Sequence, residues 1–133
     1  MLNTKPRLLK DKRARKFTNY MFDLPGLIDN MKHSHSWAKG ELISMILHNK
    51  PDKQVLLTAL HERTEVDSFQ SKDSISLQII EGKLVFHYLR ESVILNKGQI
   101  LTLHENVEYG MTALEETVFL LTISNGTLKM AEN

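Results

Sequence analysis

Six histidines and no cysteine bound the side-chain chemistry open to this chain. Without cysteine there is no disulfide, no thiolate metal site and no thiol nucleophile, a usage that fits a reducing compartment and makes the cytoplasm the expected location. His33 and His35 stand two apart in a polar stretch, but no third histidine accompanies them, so a solvated turn is expected rather than a surface metal. His48 and His61 each close an apolar run, His104 stands in a connection, and His61 with Glu62 could form a rim pair that assists a bound ligand. Ser68, Ser71 and Ser74 fall in or beside a turn, and no G-x-S-x-G elbow surrounds any serine. The six glycines are scattered singly, which leaves no loop to cradle a phosphate.

Charge is distributed unevenly. Residues 1–16 carry seven basic side chains and one acid, Asp11, while the rest of the chain has ten basic against fifteen acidic residues. A basic leader of this kind can touch nucleic acid. Its first aromatic residues are Phe17 and Tyr20, too late to interleave with the charges, so nucleic-acid binding is not expected and residues 1–20 read as a flexible basic tail. No apolar run approaches the ~18 residues of a membrane span, and a soluble protein without membrane attachment is expected.

The elements that must position any site come in two periods. Asp23 to Lys32 reads as a short helix: Asp23 can cap the first amides, Pro25 suits the first turn, and Leu24, Leu27, Ile28 and Met31 form one stripe. His33 to Gly40 reads as a connection in which the only tryptophan, Trp37, plugs a sheet edge. Together residues 21–40 make a helix and a connection. From 41 to 125 the period changes to short Val-, Ile-, Leu- and Thr-rich runs near 41–48, 53–61, 75–80, 83–89, 92–95, 99–103, 106–112 and 117–123. Many short strands without intervening helices mean a sandwich or barrel. Residues 126–133 read as a tail.

If Glu81 and Gly82 form a two-residue turn, Ile79 lies opposite Leu84, Leu77 opposite Phe86 and Ile75 opposite Tyr88, and these six share one face. The other face carries His87 among mixed residues. The runs 53–61 and 118–123 are apolar on both sides, so the outer surface of one sheet is expected to be covered by a second copy of the chain with help from the helix, giving a homodimer.

Between Arg63 and Ala113 the chain resembles the cupin superfamily. The first cupin motif, G-x5-H-x-H-x3,4-E-x6-G, falls on Arg63, Phe69, Ser71, Ile75 and Gly82. The second, G-x5-P-x-G-x2-H-x3-N, falls on Gly98, His104, Asn106, Tyr109 and Ala113. Ala59 to Val66, Ser76 to Gly82 and Thr112 to Ile123 also look like small single-domain bacterial cupins. The resemblance implies an all-β, cupin-type jelly-roll β-barrel with a short N-terminal helix. It also implies that Phe69, Ser71, Ile75 and Tyr109 occupy the slots of the metal ligands. A benzene ring, a hydroxyl, a butyl group and a phenol make a poor donor set for a transition metal.

The expected interior is therefore apolar, lined by Phe69, Ser71, Ile75, Leu77, Ile79, Phe86, Tyr109 and Met111, with no metal, no cofactor and no catalytic residues. Such a lining suits a small, mostly apolar ligand with one hydrogen-bonding group. Two alternatives stay open: a metal-dependent oxygenase or isomerase with ligands from outside the motifs, and a metal-free relative of the sugar-nucleotide epimerases. The latter resemble this scaffold and use a His–Asp pair with a tyrosine acid. Tyr109 suits the acid's role, but no His–Asp pair facing the interior can be read here.

Overall fold

Alternating burial along the strands is what closes this chain into two facing sheets. The computed structural model describes the backbone of residues 8–9, 19–104 and 106–124 and the side chains of residues 21–67, 72–104 and 106–124. Two short strands, β1 (Leu8–Leu9) and β2 (Asn19–Tyr20), pair with each other; the rest of the expected tail, and residues 126–133, lie outside the described residues. Helices α1 (Leu24–Lys32) and α2 (His35–Ala38) follow. Then come β3 (Ile43–Lys50), β4 (Lys53–Leu60), β5 (Glu65–Ser71), β6 (Ser74–Glu81), β7 (Lys83–Tyr88), β8 (Glu91–Asn96), β9 (Ile100–Leu103), β10 (Val107–Ala113) and β11 (Thr117–Ser124).

A five-stranded antiparallel sheet in the order β3-β4-β11-β6-β9 faces a four-stranded one in the order β5-β10-β7-β8. Inward residues of both sheets make one core: Leu60, Ile75, Leu77, Ile79, Leu84, Phe86, Leu95, Leu103, Tyr109, Met111, Ala113 and Phe119. On β6 the pattern is strict, Ile75, Leu77 and Ile79 being buried and the residues between them half-buried.

Glu81-Gly82 is not a hairpin turn. β6 and β7 belong to different sheets, so the chain passes there from one sheet to the other, and β6 pairs instead with β11 and β9. The expected common face survives this correction, because a strand that changes sheets at a corner keeps its apolar side toward the shared core. Gly82 has φ +96°, and a Cβ there would lie 2.3 Å from the Glu116 carbonyl oxygen and 2.6 Å from Thr117 Cα. Thr117 is fully buried; its hydroxyl accepts from the Lys83 N–H at 3.2 Å and has the carbonyl oxygens of Glu115 and Lys83 at 2.7 and 3.1 Å. The corner is thus a backbone-to-backbone contact.

A second apolar layer lies outside the five-stranded sheet. Leu27, Ile28 and Met31 of α1 and Trp37 of α2 pack with Met45, Leu57, Ala59 and Val118. The two helices of the same chain therefore cover this part of the outer face. Trp37 belongs to that layer rather than to a sheet edge, and the His33–Gly40 connection contains a short helix whose N-cap, Ser34, accepts from the Trp37 N–H at 3.2 Å. Asp23 stands at the N-cap of α1, but its side chain makes no capping hydrogen bond. At the far end of α1, Lys32 reaches Glu81 at 2.5 Å and Glu116 at 2.7 Å, tying the helix to the β6–β7 corner.

Candidate functional site

The cupin slots come from three strands. Position 69 on β5 pairs directly with Tyr109 on β10, position 71 with Val107, and Ile75 is the second residue of β6. The side chains of Phe69 and Ser71 lie outside the described residues. The other six expected lining residues, Ile75, Leu77, Ile79, Phe86, Tyr109 and Met111, all belong to the one interior cluster and are at most 3% exposed. Phe86 and Tyr109 stack at 5.1 Å between ring centroids, with Tyr88 tilted against Phe86 at 6.0 Å.

Four positions where the cupin motifs carry glycine have positive φ in this chain: Arg63 (73°), Gly82 (96°), Gly98 (87°) and Asn106 (67°). Two of the four are not glycine, yet the backbone keeps the left-handed turn. Asparagine tolerates it well and arginine less so. At Arg63 the corner is held by tertiary hydrogen bonds, Arg63 N–H to the Ala113 carbonyl at 2.7 Å and Ala113 N–H to the Thr64 carbonyl at 2.9 Å.

None of the described histidines enters the interior cluster. His33 and His35 are exposed; the His33 Nδ1–H donates to the Asp29 carbonyl at 2.8 Å. His87 lies on the outer face of the four-stranded sheet, its Nδ1 2.8 Å from the Ser92 hydroxyl. His61 does not form the rim pair with Glu62: its ring stacks on Trp37 at 3.5 Å between centroids, with Nε2 buried and unbonded. That contact was invisible in the sequence because it joins residues 37 and 61 through α2. Among the described residues no group of three or more His, Cys, Asp or Glu side chains is placed to hold a metal ion.

One end of the barrel has an open depression of about 320 Å³. Ile75 and Leu103 from the interior cluster line it, and Ser74, Ser76, Thr102, Ser124 and His104 supply polar groups. Sequence reasoning missed it because its wall combines the strand ends of β6, β9 and β11, which the expected hairpin kept apart.

Burial pushes the Tyr109 pKa from 10.0 up to about 12. The unfolded chain therefore loses this proton first, and stability falls between pH 10 and 12 by roughly 2 kcal/mol from this group. Lys32 acts in the same direction. Burial lowers its pKa, but hydrogen bonds to Glu116 and Glu81 and their charges outweigh this and hold it above 10.5, so its contribution is complete below 10.5 and is lost as pH rises through the folded value. Urea unfolding from about pH 8 to about pH 11 is expected to show this alkaline loss. Tyr109→Phe should flatten the curve, and an unchanged slope would refute the assignment.

The sequence matches no family model and no curated relative. Among solved structures, the cupin domain of Schizosaccharomyces pombe Cnp3 superposes with a TM-score of 0.70 at 15% identity, over 96% of this chain and 93% of that one. A cupin superfamily protein of Desulfitobacterium hafniense superposes with a TM-score of 0.65 at 12% identity, over 94% of this chain and 98% of the other. The chain has the cupin fold. KdgF from a Halomonas species is also similar, with a TM-score of 0.57 at 17% identity over 65% of this chain and 81% of that one. Within the cupin fold the chain keeps the double sheet and the turns at the glycine positions, while aliphatic and phenolic groups stand at the described positions that correspond to the ligand slots of the motifs. Among its described residues no helix is long and apolar enough to cross a membrane.

Proposed function

We propose that this cupin is metal-free and non-catalytic and acts by binding a small, mostly apolar molecule at the open end of its barrel, in the cytoplasm. The observation that carries the reading is the content of the interior: Ile75 and Tyr109 stand at ligand slots and are 3% exposed within a continuous apolar cluster. Neither a butyl group nor a neutral phenol holds a divalent cation well, and burial keeps the Tyr109 phenol protonated through the physiological range. The depression at the barrel mouth supports the binding half of the reading. Ile75 and Leu103 offer contact to an apolar body, and the surrounding hydroxyls and His104 offer hydrogen bonds to a polar end.

Elemental analysis of the purified protein tests the first half. The expected result is no stoichiometric transition metal; about one tightly bound ion per chain, lost together with an activity, overturns the reading. For the second half, anilinonaphthalene sulfonate serves as an apolar anionic probe. Its fluorescence should rise with the wild type and fall back when Leu103→Trp fills the depression, and equal signals from both proteins would remove the depression as a binding place.

A further inference from the structure

We infer that α1 and α2 form one lid that lifts off the outer face of the five-stranded sheet about a hinge at Gly40, and that the clasp of Lys32 on Glu81 and Glu116 holds it shut. This goes beyond the binding reading and does not depend on it. The lid cannot keep its shape alone: α1 has nine residues, short of the ~12 at which an isolated helix becomes marginal in water, α2 has four, and Asp23 makes no capping hydrogen bond. Both helices are ordered by what they dock on. Ser34 makes them one unit, since its hydroxyl donates to the Met31 carbonyl of α1 at 2.7 Å and accepts from the Trp37 N–H of α2 at 3.2 Å.

Three features loosen the closed seat. A cleft of about 230 Å³ runs between lid and barrel, with Met31, Ser34 and Ser36 on one wall and Ile43, Ser44 and Met45 of β3 on the other. Along it the two sides forgo the close packing that the barrel core has throughout. The buried Nε2 of His61, on whose ring Trp37 stacks, has no hydrogen-bond partner while the lid is down, and opening returns that atom to water. The path from α2 to β3, residues 39–42, is exposed at every position. Within it Gly40 has φ +89° and nothing within 4 Å of the place a Cβ would take, so the backbone can turn there without meeting the barrel.

Two kinds of contact oppose this looseness. Leu27, Ile28, Met31 and Trp37 share an apolar cluster with Met45, Leu57, Ala59 and Val118, and Lys32 bridges to both carboxylates at the β6–β7 corner. Only the second answers to the solution. Glu81 and Glu116 are partly exposed, so salt screens the clasp while leaving the apolar contacts in place. Opening bares Met45, Leu57, Ala59 and Val118, and ionic strength therefore sets how often this chain presents an apolar face.

Native-state hydrogen exchange of the full chain, read residue by residue by NMR, tests the lid, and the single tryptophan is a second reporter. The amides of His33 and Ser34 at the end of α1, and of Ala38 and Lys39 at the end of α2, are hydrogen-bonded in the closed form. All four should exchange through one shared opening, populated at least about a hundredfold more than the opening that exposes the β11 amides. Acrylamide should quench Trp37 in step with them. Lys32→Gln should raise the opening about tenfold at all four amides, including the two on α2 beyond the helix that carries Lys32, and leave β11 unchanged. Sodium chloride at about 0.5 M should do the same to the wild type and add nothing to the variant. The salt arm decides even if the variant does not fold. Four amides no faster than those of β11, or a response confined to α1, overturn the proposal, because no unit then lifts. An equal change in β11 assigns Lys32 to overall stability and overturns it as well, and an opening indifferent to both Lys32→Gln and salt refutes the clasp.

Discussion

Gly82→Ala is expected to lower stability by about 3 kcal/mol and the melting temperature by roughly 10 °C. Two costs combine. Alanine at φ +96° is strained, and the added Cβ would lie 2.3 Å from a backbone oxygen and 2.6 Å from a backbone carbon, atoms that cannot swing aside as a side chain can. Relief requires moving the 115–117 segment, and with it the buried Thr117 hydroxyl that bridges the corner. Gly98→Ala is the matched comparison. It has φ +87° but nothing within 4 Å of the added carbon, so only the conformational cost of about 1 kcal/mol should remain. Urea titrations of both variants by circular dichroism measure the difference. Equal losses would mean that the corner contact contributes nothing.

Phe86→Ala is expected to cost about 4 kcal/mol. The ring is fully buried at the centre of the barrel and stacks on Tyr109. Its removal leaves a void bounded by both sheets, and neighbours on hydrogen-bonded strands relax only partly into such a void. Ile94→Ala, on the exposed side of the same sheet, should change stability by less than about 0.5 kcal/mol. The comparison separates a packed interior from an open ligand chamber. A Phe86→Ala loss near 1 kcal/mol would mean that the ring borders empty space, and the binding place would then belong inside the barrel rather than at its mouth.

Much of this architecture was legible because period-two burial is written into each strand. Ile75, Leu77 and Ile79 announce an inward face whatever strand lies beside them, and Leu24, Leu27, Ile28 and Met31 announce a docking helix. β5 was missed as a strand because Glu65, Asp67, Ser68, Gln70 and Ser71 leave no apolar alternation; it is held as a strand by pairing with β10. The β6–β7 pairing was misread for a related reason. A glycine with positive φ serves a hairpin and a sheet-to-sheet corner equally, and only the fit of residue 82 against Thr117 tells them apart.

The candidate site divides along the same line. Residue chemistry settles that Ile75 and Tyr109 are poor metal donors, and motif spacing places both on the barrel's inner side. The depression between Ile75, Leu103 and Ser124, the stack of His61 on Trp37 and the cover that α1 and α2 give to the outer sheet could not be read from the chain, because each joins segments far apart along it.

What the amino-acid order determined by itself is therefore local: which residues turn, which alternate, and which side of each strand is apolar, since these follow from backbone sterics and solvation within a few residues. What only the tertiary structure decided is adjacency, namely which strands share a sheet, which edge stays open and where the barrel gapes. Adjacency depends on how whole faces pack, and many strand pairings bury the same apolar side equally well.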